Sequence, residues 1–344
     1  MLLKELSEAV GVSGHEGAVR QLILDAIKGQ VDEHRVDALG NLIALKKGHG
    51  EKRRKVMVAA HMDEIGLMIV RIEKEGSLRF RPVGGIDHRV LLAKKVLIGD
   101  KKVPGVIGSK PVHLLEPRQR QQVVHVEEMS IDIGATSQDD ASNLVKVGDY
   151  ATFDVSYREL GGQLRAVTGK AFDDRAGCAV LIQLLSGTYP FDLYATFTVQ
   201  EEVGLRGARV AAYSIAPDVA FALEGTICDD MPKLKDVSPT TIVGGGAAIT
   251  IMDRSVIADR RLVDLLVRTA EEHGIPHQFK QPNMGGTDAG AIHLARTGVP
   301  AVTVAVPSRY IHSPVCLLSL NDLDSTVKLM RETLMGVNDI ELNR

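Results

Sequence analysis

The chain has 344 residues, 44% of them hydrophobic and 25% charged, with a net charge of −3. That is enough to bury a sizeable core, and nothing in the bulk charge calls for nucleic acid or a membrane surface as partner. Trp is absent and aromatics are few, which disfavours base-stacking and sugar-stacking platforms.

The segment HEGAVRQLILDAIKG has apolar residues at helical spacing and a closing glycine. Two short strands flank Gly40-Asn41, a hairpin signal. The run EKRRK reads as a solvated turn before an apolar strand, KVMVAA, that ends in HMDEIG. From about Leu67 to Leu164, short β-like runs (GLMIVRIE, SLRFRPVGG, KKVLIGD, VPGVIGS, MSIDIGA, DYATFDVSY) alternate with Gly, Pro and Asp turns, and no helix is predicted. This stretch reads as a small all-β domain, barrel or sandwich, with LLEPRQRQQVV as a polar loop.

After Gly169 the pattern becomes α/β. Predicted helices are DDRAGCAVLIQLLSG, LRGARVAAYS, ADRRLVDLLVRTAEEHG, TDAGAIHLARTG and LNDLDSTVKLMRETLMG. They alternate with strands LYATFTVQ, VAFALE, AAITIMD, PHQFK and PAVTVAVP, which predicts a largely parallel sheet covered by helices. KVMVAAH has no partner of its own nearby, so 67–164 is an insertion into one α/β domain made of 1–66 and 165–344.

Cys178, Cys228 and Cys316 form no CxxC pair and suit a reducing compartment. No segment reads as a signal peptide or as a span of about 20 apolar residues. A cytoplasmic protein without membrane or nucleic-acid partners is expected.

The chemistry gathers at the ends of the α/β strands, where ligands bind in open sheets. His61 and Asp63, Glu201 and Glu202, and Glu224 each follow an apolar run; Asp173-Asp174 precede a helix, and His312 lies just beyond AVTVAVP. Alone, each is commonplace: a surface histidine, a helix cap, a solvated turn. Together they are carboxylates that would repel unless cations neutralise them, and two histidines with three carboxylates and no thiolate suit Zn, Co or Mn. Five ligands fit two ions sharing one carboxylate, leaving a further acid as general base. Adjacent strand residues point to opposite faces, so Glu201 and Glu202 can serve one site only where the strand breaks, a break assigned to Val203-Gly204.

The motifs AAHMDEIG, GKAFDDRAG, VQEEVGLRGA, ALEGT, GGTDAGAIHLARTGVPAVTV and SRYIHSP, in this order, resemble the tetrahedral (TET-type) glutamyl aminopeptidases, dinuclear metallopeptidases whose relatives often carry endoglucanase names. The resemblance runs through essentially the whole chain. It implies a mixed sheet flanked by helices, of zinc-aminopeptidase, phosphorylase/hydrolase-like type, with a PDZ-like all-β barrel inserted for oligomerisation. It further implies His61, Asp173 and Glu224 on one metal, and Asp173, Glu202 and His312 on the other. Glu201 would be the general base, Asp63 the acid that orients His61, and the Asp173–Asp174 peptide cis. Many members have Asp at the position of Glu224, and the extra methylene bears on reach and metal preference. Peptides with a free amino terminus are the implied substrates, and a homododecamer built from dimers the implied assembly. Two other readings stand beside it: a glycoside hydrolase, which needs carboxylates opposed across a sugar, and a non-catalytic metal-binding assembly protein, which needs no spare base.

Overall fold

The computed structural model describes residues 2–50, 53–231, 240–281 and 285–341. Helices α1 (Leu2–Glu8) and α2 (Gly17–Ala26) precede a hairpin of β1 (Glu33–Val36) and β2 (Leu42–Lys46). Its turn is closed by Asp37, whose Oδ1 accepts from the main-chain N–H groups of Leu39, Gly40 and Asn41. Strand β3 (Lys55–His61) then leads into a closed antiparallel barrel. Its strands are β4 (Gly66–Ile72), β5 (Leu78–Val83), β6 (Lys95–Ile98), β7 (Val103–Gly108), β8 (Ser130–Asp132) and β9 (Tyr150–Phe153). Closure removes the sheet edges and encloses a separate apolar core that includes Leu67, Ile69, Phe80, Ile98 and Ile131.

The barrel region also holds a helix that the sequence reading missed, α3 (Gln138–Leu144). Its signal was local: Ser137 caps it, accepting from Asp140 N, and Asp139 and Asp140 sit in its first turn. The polar loop at 114–124 contains a 3₁₀ turn, Gln119–Gln121.

The chain returns through β10 (Arg158–Gly161), β11 (Ala166–Gly169), α4 (Phe172–Leu184), β12 (Asp192–Thr198), α5 (Arg206–Ile215), β13 (Val219–Cys228) and β14 (Ala247–Thr250). It ends with α6 (Arg260–Glu272), β15 (His277–Lys280), α7 (Asp288–Ile292), β16 (Ala301–Arg309), β17 (Cys316–Ser319) and α8 (Leu320–Met335). The main sheet runs β1-β2-β12-β3-β13-β16-β17-β11-β10, with β14 and β15 branching from β16. Parallel pairing is confined to β12-β3-β13-β16 and β14-β15, and the other pairs are antiparallel. The sheet is thus mixed rather than largely parallel, because hairpins extend both edges. The predicted helix TDAGAIHLARTG is also short, ending at Ile292.

Two apolar layers cover the two faces. Val56, Val58, Phe221, Leu223, Val302 and Val304 pack under α1, α2, α4, α6 and α8; burying one such side chain is worth about 1.5–3 kcal/mol. The opposite face is built from smaller residues, with Ala59, Ala220 and Ala222 against Ala208, Ala211 and Ala212 of α5 and Ala289 of α7. Small residues bring helices and sheet close together there, and the polar cluster opens from that face. Among the described residues no helix is long and apolar enough to cross a membrane.

Candidate metal centre

Strand parity brings His61 and Glu224 together. Met57 and Ala59 belong to the alanine-rich face, and alternation carries His61 there too. Ala222 stands opposite Ala59 in the parallel β3–β13 ladder, so Glu224, two residues on, is level with His61. His61 Nε2 lies 3.5 Å from Glu224 Oε2; the methylene that distinguishes Glu224 from aspartate does not prevent it reaching the cluster.

Asp173 and Asp174 divide the work at the start of α4, joined by a cis peptide. Asp174 caps the helix, accepting from Gly177 N at 2.9 Å, and its other oxygen accepts from His61 N at 3.0 Å. Asp173 turns to the cluster, with Oδ1 3.2 Å from His61 Nε2 and Oδ2 3.5 Å from His312 Nε2. Gly225 permits this approach, since a Cβ there would stand 2.8 Å from the Asp173 Cα.

The Glu201–Glu202 turn corrects the expected position of the strand break. β12 ends at Thr198 and Gln200 already has φ +56°, before Val203-Gly204 is reached. Side chains end the ladder: Asn41 Oδ1 accepts from Val199 N at 3.0 Å and Glu16 Oε1 from Gln200 N at 3.2 Å. The Asp63 carboxylate then accepts from Glu201 N at 3.0 Å, from Glu202 N at 3.2 Å and from the Ser13 hydroxyl at 2.6 Å. This lets neighbouring glutamates face one site: Glu202 Oε2 lies 3.5 Å from His312 Nε2, and Glu201 Oε2 lies 3.9 Å from His61 Nε2.

Main-chain carbonyls orient both imidazoles. A carbonyl only accepts, so each Nδ1 carries the proton: His61 Nδ1 donates to Asp63 O at 3.1 Å, and His312 Nδ1 to Gly85 O at 2.8 Å. Both Nε2 atoms are left facing carboxylates. The Asp63 carboxylate is farther from His61 Nδ1, at 3.5 Å. Gly85 belongs to the inserted segment, which therefore touches the site although it supplies none of the clustered acids or histidines.

The donor set fits two cations. His61, Asp173 and Glu224 offer atoms within 4.8 Å of one another, as do Asp173, Glu202 and His312. Ligands about 2.1 Å from a tetrahedral ion stand about 3.4 Å apart, close to the 3.2–3.5 Å separations found between the histidine nitrogens and their carboxylates. Without cations the charges are poorly balanced. Burial pushes the Glu202 carboxyl up to about 8 and Asp288 to about 7. Burial, then Glu224, Asp288 and Glu202, hold Glu201 well above the carboxylate range against the pull of His61.

Several supporting residues gave no sequence signal of their role. Asp288 accepts from the Thr198 hydroxyl at 2.5 Å, and its main-chain N–H reaches Glu224 Oε1 at 3.4 Å; it lay within a quoted motif, but only the fold brings it behind Glu224. Glu64, beside Asp63, is buried in a charged cluster. Both its oxygens accept from Lys170 Nζ at 2.7 Å, Oε1 accepts from Gly11 N at 3.0 Å, and the Arg175 guanidinium lies at 3.5 Å. Burial pushes Lys170 down to about 8 despite Glu64. Arg175 also donates to the carbonyls of Met62 and Leu6, tying α1 and the end of β3 to α4.

Comparison with known proteins places the chain in a family. The profile of the M42 glutamyl aminopeptidase family matches residues 40–329. A putative aminopeptidase of Acetivibrio thermocellus is 43% identical over 97% of both chains. A lysyl aminopeptidase of Pyrococcus furiosus is 35% identical over 97% of this chain and 96% of its own. Among solved structures, the TET aminopeptidase of the marine sediment archaeon Thaumarchaeota archaeon SCGC AB-539-E09 superposes with a TM-score of 0.92 at 39% identity, over 97% of this chain and 95% of that one. The TET1 peptidase of Pyrococcus horikoshii, which can assemble into a tetrahedron or a large octahedral shell, gives 0.85 at 38% identity, over 97% and 98%. Family profile, relatives and fold agree over nearly the whole length, and this chain belongs to the M42 glutamyl aminopeptidase family of peptidases.

Proposed function

We propose that this protein removes amino-terminal residues from peptides at a two-metal site in which Glu201 is the general base. The observation that carries the reading is the sharing of Asp173 between two ligand sets while the neighbouring Glu201 belongs to neither. His61, Asp173 and Glu224 would hold one divalent ion (Zn, Co or Mn) and Asp173, Glu202 and His312 the other. When bound, the ions supply Lewis acidity at the scissile carbonyl and lower the pKa of water. Glu201 takes a proton from the attacking water as the C–O bond forms, and returns it to the leaving nitrogen as the C–N bond breaks. Asp63 positions that base by holding the N–H groups of Glu201 and Glu202. A glycosidase would need its acids opposed across a sugar, whereas Asp173, Glu202 and Glu224 are drawn onto two histidines.

The test is substrate blocking. Acetylating the amino terminus of a cleaved peptide should abolish turnover, and equal turnover of blocked and free peptides would reject the aminopeptidase reading. The residue removed is not given by names, since the family profile is described as glutamyl and one relative as lysyl.

Residues 67–164 are proposed to mediate homo-oligomerisation into a cytoplasmic shell of twelve subunits, as the tetrahedral assembly of the Pyrococcus horikoshii peptidase suggests. Val112, Leu114 and Val123 in this segment are 55%, 65% and 52% exposed, apolar surface suited to subunit contact. Changing all three to Asp should lower the mass on a sizing column, and an unchanged mass would remove this role from the loop.

A further inference from the structure

Residues 11–16, GVSGHE, are laced to the chain just after β3: Glu64 N donates to Gly11 O at 2.9 Å and Ser13 N to Glu64 O at 3.3 Å. His15 stacks its ring on that of Tyr150 in β9, with centroids 5.3 Å apart. The loop is thus held by both the α/β domain and the barrel. Two of its side chains reach the turn that carries Glu201. The Ser13 hydroxyl donates to Asp63, which holds the N–H groups of Glu201 and Glu202. Glu16 Oε1 accepts from Gln200 N at 3.2 Å.

Glu16 stands where an acid ordinarily caps its own helix, at the start of α2, yet its side chain makes no hydrogen bond to that helix. It is only 4% exposed, and Oε1 is shared between Gly14 N at 2.6 Å and Gln200 N. A buried carboxylate is costly unless hydrogen-bonded, and these N–H groups supply the bonds.

Gln200 needs that support. Its φ of +56° lies in the left-handed region, costly for a residue with a Cβ and kept only where the surroundings fix it. The far side of the turn is closed by its own main chain. Gly204 N and Leu205 N donate to Glu201 O, both at 2.9 Å, and Arg206 N to Gln200 O at 3.2 Å. Gln200 N has no main-chain acceptor among the described residues and takes Glu16 instead. Gln200 directly precedes Glu201, so its backbone angles aim the Glu201 side chain.

We propose that Glu16 is a positioning residue for the general base: by holding Gln200 N it fixes the direction from which Glu201 reaches the attacking water. This rests on the reading of Glu201 as base and extends it to the amino-terminal loop. Two competing roles for Glu16 are to stabilise the fold alone, and to act as a further charge on the acid cluster.

The experiment measures kcat per metal-loaded site, KM, bound metal and denaturant midpoint, on whichever of the Glu, Leu and Lys anilides the wild type cleaves fastest. Glu16→Asp keeps the charge but draws the acceptor back by one methylene. It should lower kcat about 10- to 100-fold, the cost of a misplaced catalytic group, with KM and metal content near wild type. Glu16→Gln keeps the reach and loses the charge, and should retain clearly more of kcat than Glu16→Asp. Added to Glu201→Gln, Glu16→Asp should cause no further slowing, because the base it positions is already gone. A Glu16→Asp enzyme that loses only stability, a Glu16→Gln enzyme slower than Glu16→Asp, or a double variant slowed by the product of the single effects would overturn the assignment and leave the aminopeptidase reading intact. An unimpaired Glu201→Gln enzyme would remove the base and this proposal with it. Absence of wild-type turnover on every anilide would remove the aminopeptidase reading as well.

Discussion

Glu201→Gln should reduce kcat by about 10²–10⁴-fold, the usual worth of general acid–base catalysis, while metal content and KM stay near wild type. Glutamine keeps the size of the side chain and cannot take the proton of the attacking water. The main-chain N–H of residue 201 still reaches Asp63, so the turn is retained. Glu202→Gln, one residue away, should behave differently. Its carboxylate stands 3.5 Å from His312 Nε2, and Asp173, Glu202 and His312 form one of the two ligand sets. That variant should lose metal first and regain part of its activity in excess metal. Metal stoichiometry and turnover of both variants decide the assignment: metal loss at Glu201 with full occupancy at Glu202 would exchange the two roles, and two unimpaired enzymes would end the proposed mechanism.

The second large effect concerns stability. Glu64→Gln should cost about 3–5 kcal/mol, the penalty for breaking a buried ion pair by removing one partner. The size follows from the surroundings: Lys170 and Arg175 have side chains 4% and 0% exposed, so neither can turn to water for compensation. Removing both partners of an ion pair costs less than removing one, so Glu64→Gln with Lys170→Met should recover part of the loss. Shifts in the denaturant midpoint at fixed protein and metal concentration measure this. A double variant as unstable as the sum of its single changes would show that Glu64 and Lys170 do not act as a pair. The effect should extend to the site, because Arg175 donates to Met62 O between His61 and Asp63.

The linear sequence was sufficient for elements whose signals are local. Continuous apolar runs marked the central strands, Gly40-Asn41 marked the hairpin, and Gly- and Pro-punctuated short runs separated the inserted β segment from the α/β part. Acids and histidines at strand ends identified the residues that the fold gathers, because so many carboxylates at one sheet edge, each commonplace alone, would repel unless cations neutralised them. Where several local signals competed, the reading was less complete. The short capped helix at Gln138–Leu144 was lost among β-like runs, and the antiparallel edge strands were hidden by the α/β rhythm.

Tertiary structure alone decided what depends on residues far apart in the chain. The strand ahead of Glu201 breaks early because Asn41, Glu16 and Asp63 take up its N–H groups, and no property of VQEEVG specifies those partners. Gly85 orients His312 across 227 positions, and Glu64 meets Lys170 across 106. Lys280 reads as an ordinary strand residue until the register of four strands brings it to the wall of the same cavity as Glu224. The physical reason is common to all of these. Periodicity and capping are set by neighbours within a few residues, whereas the environment of a buried charge is set by whatever the fold packs against it.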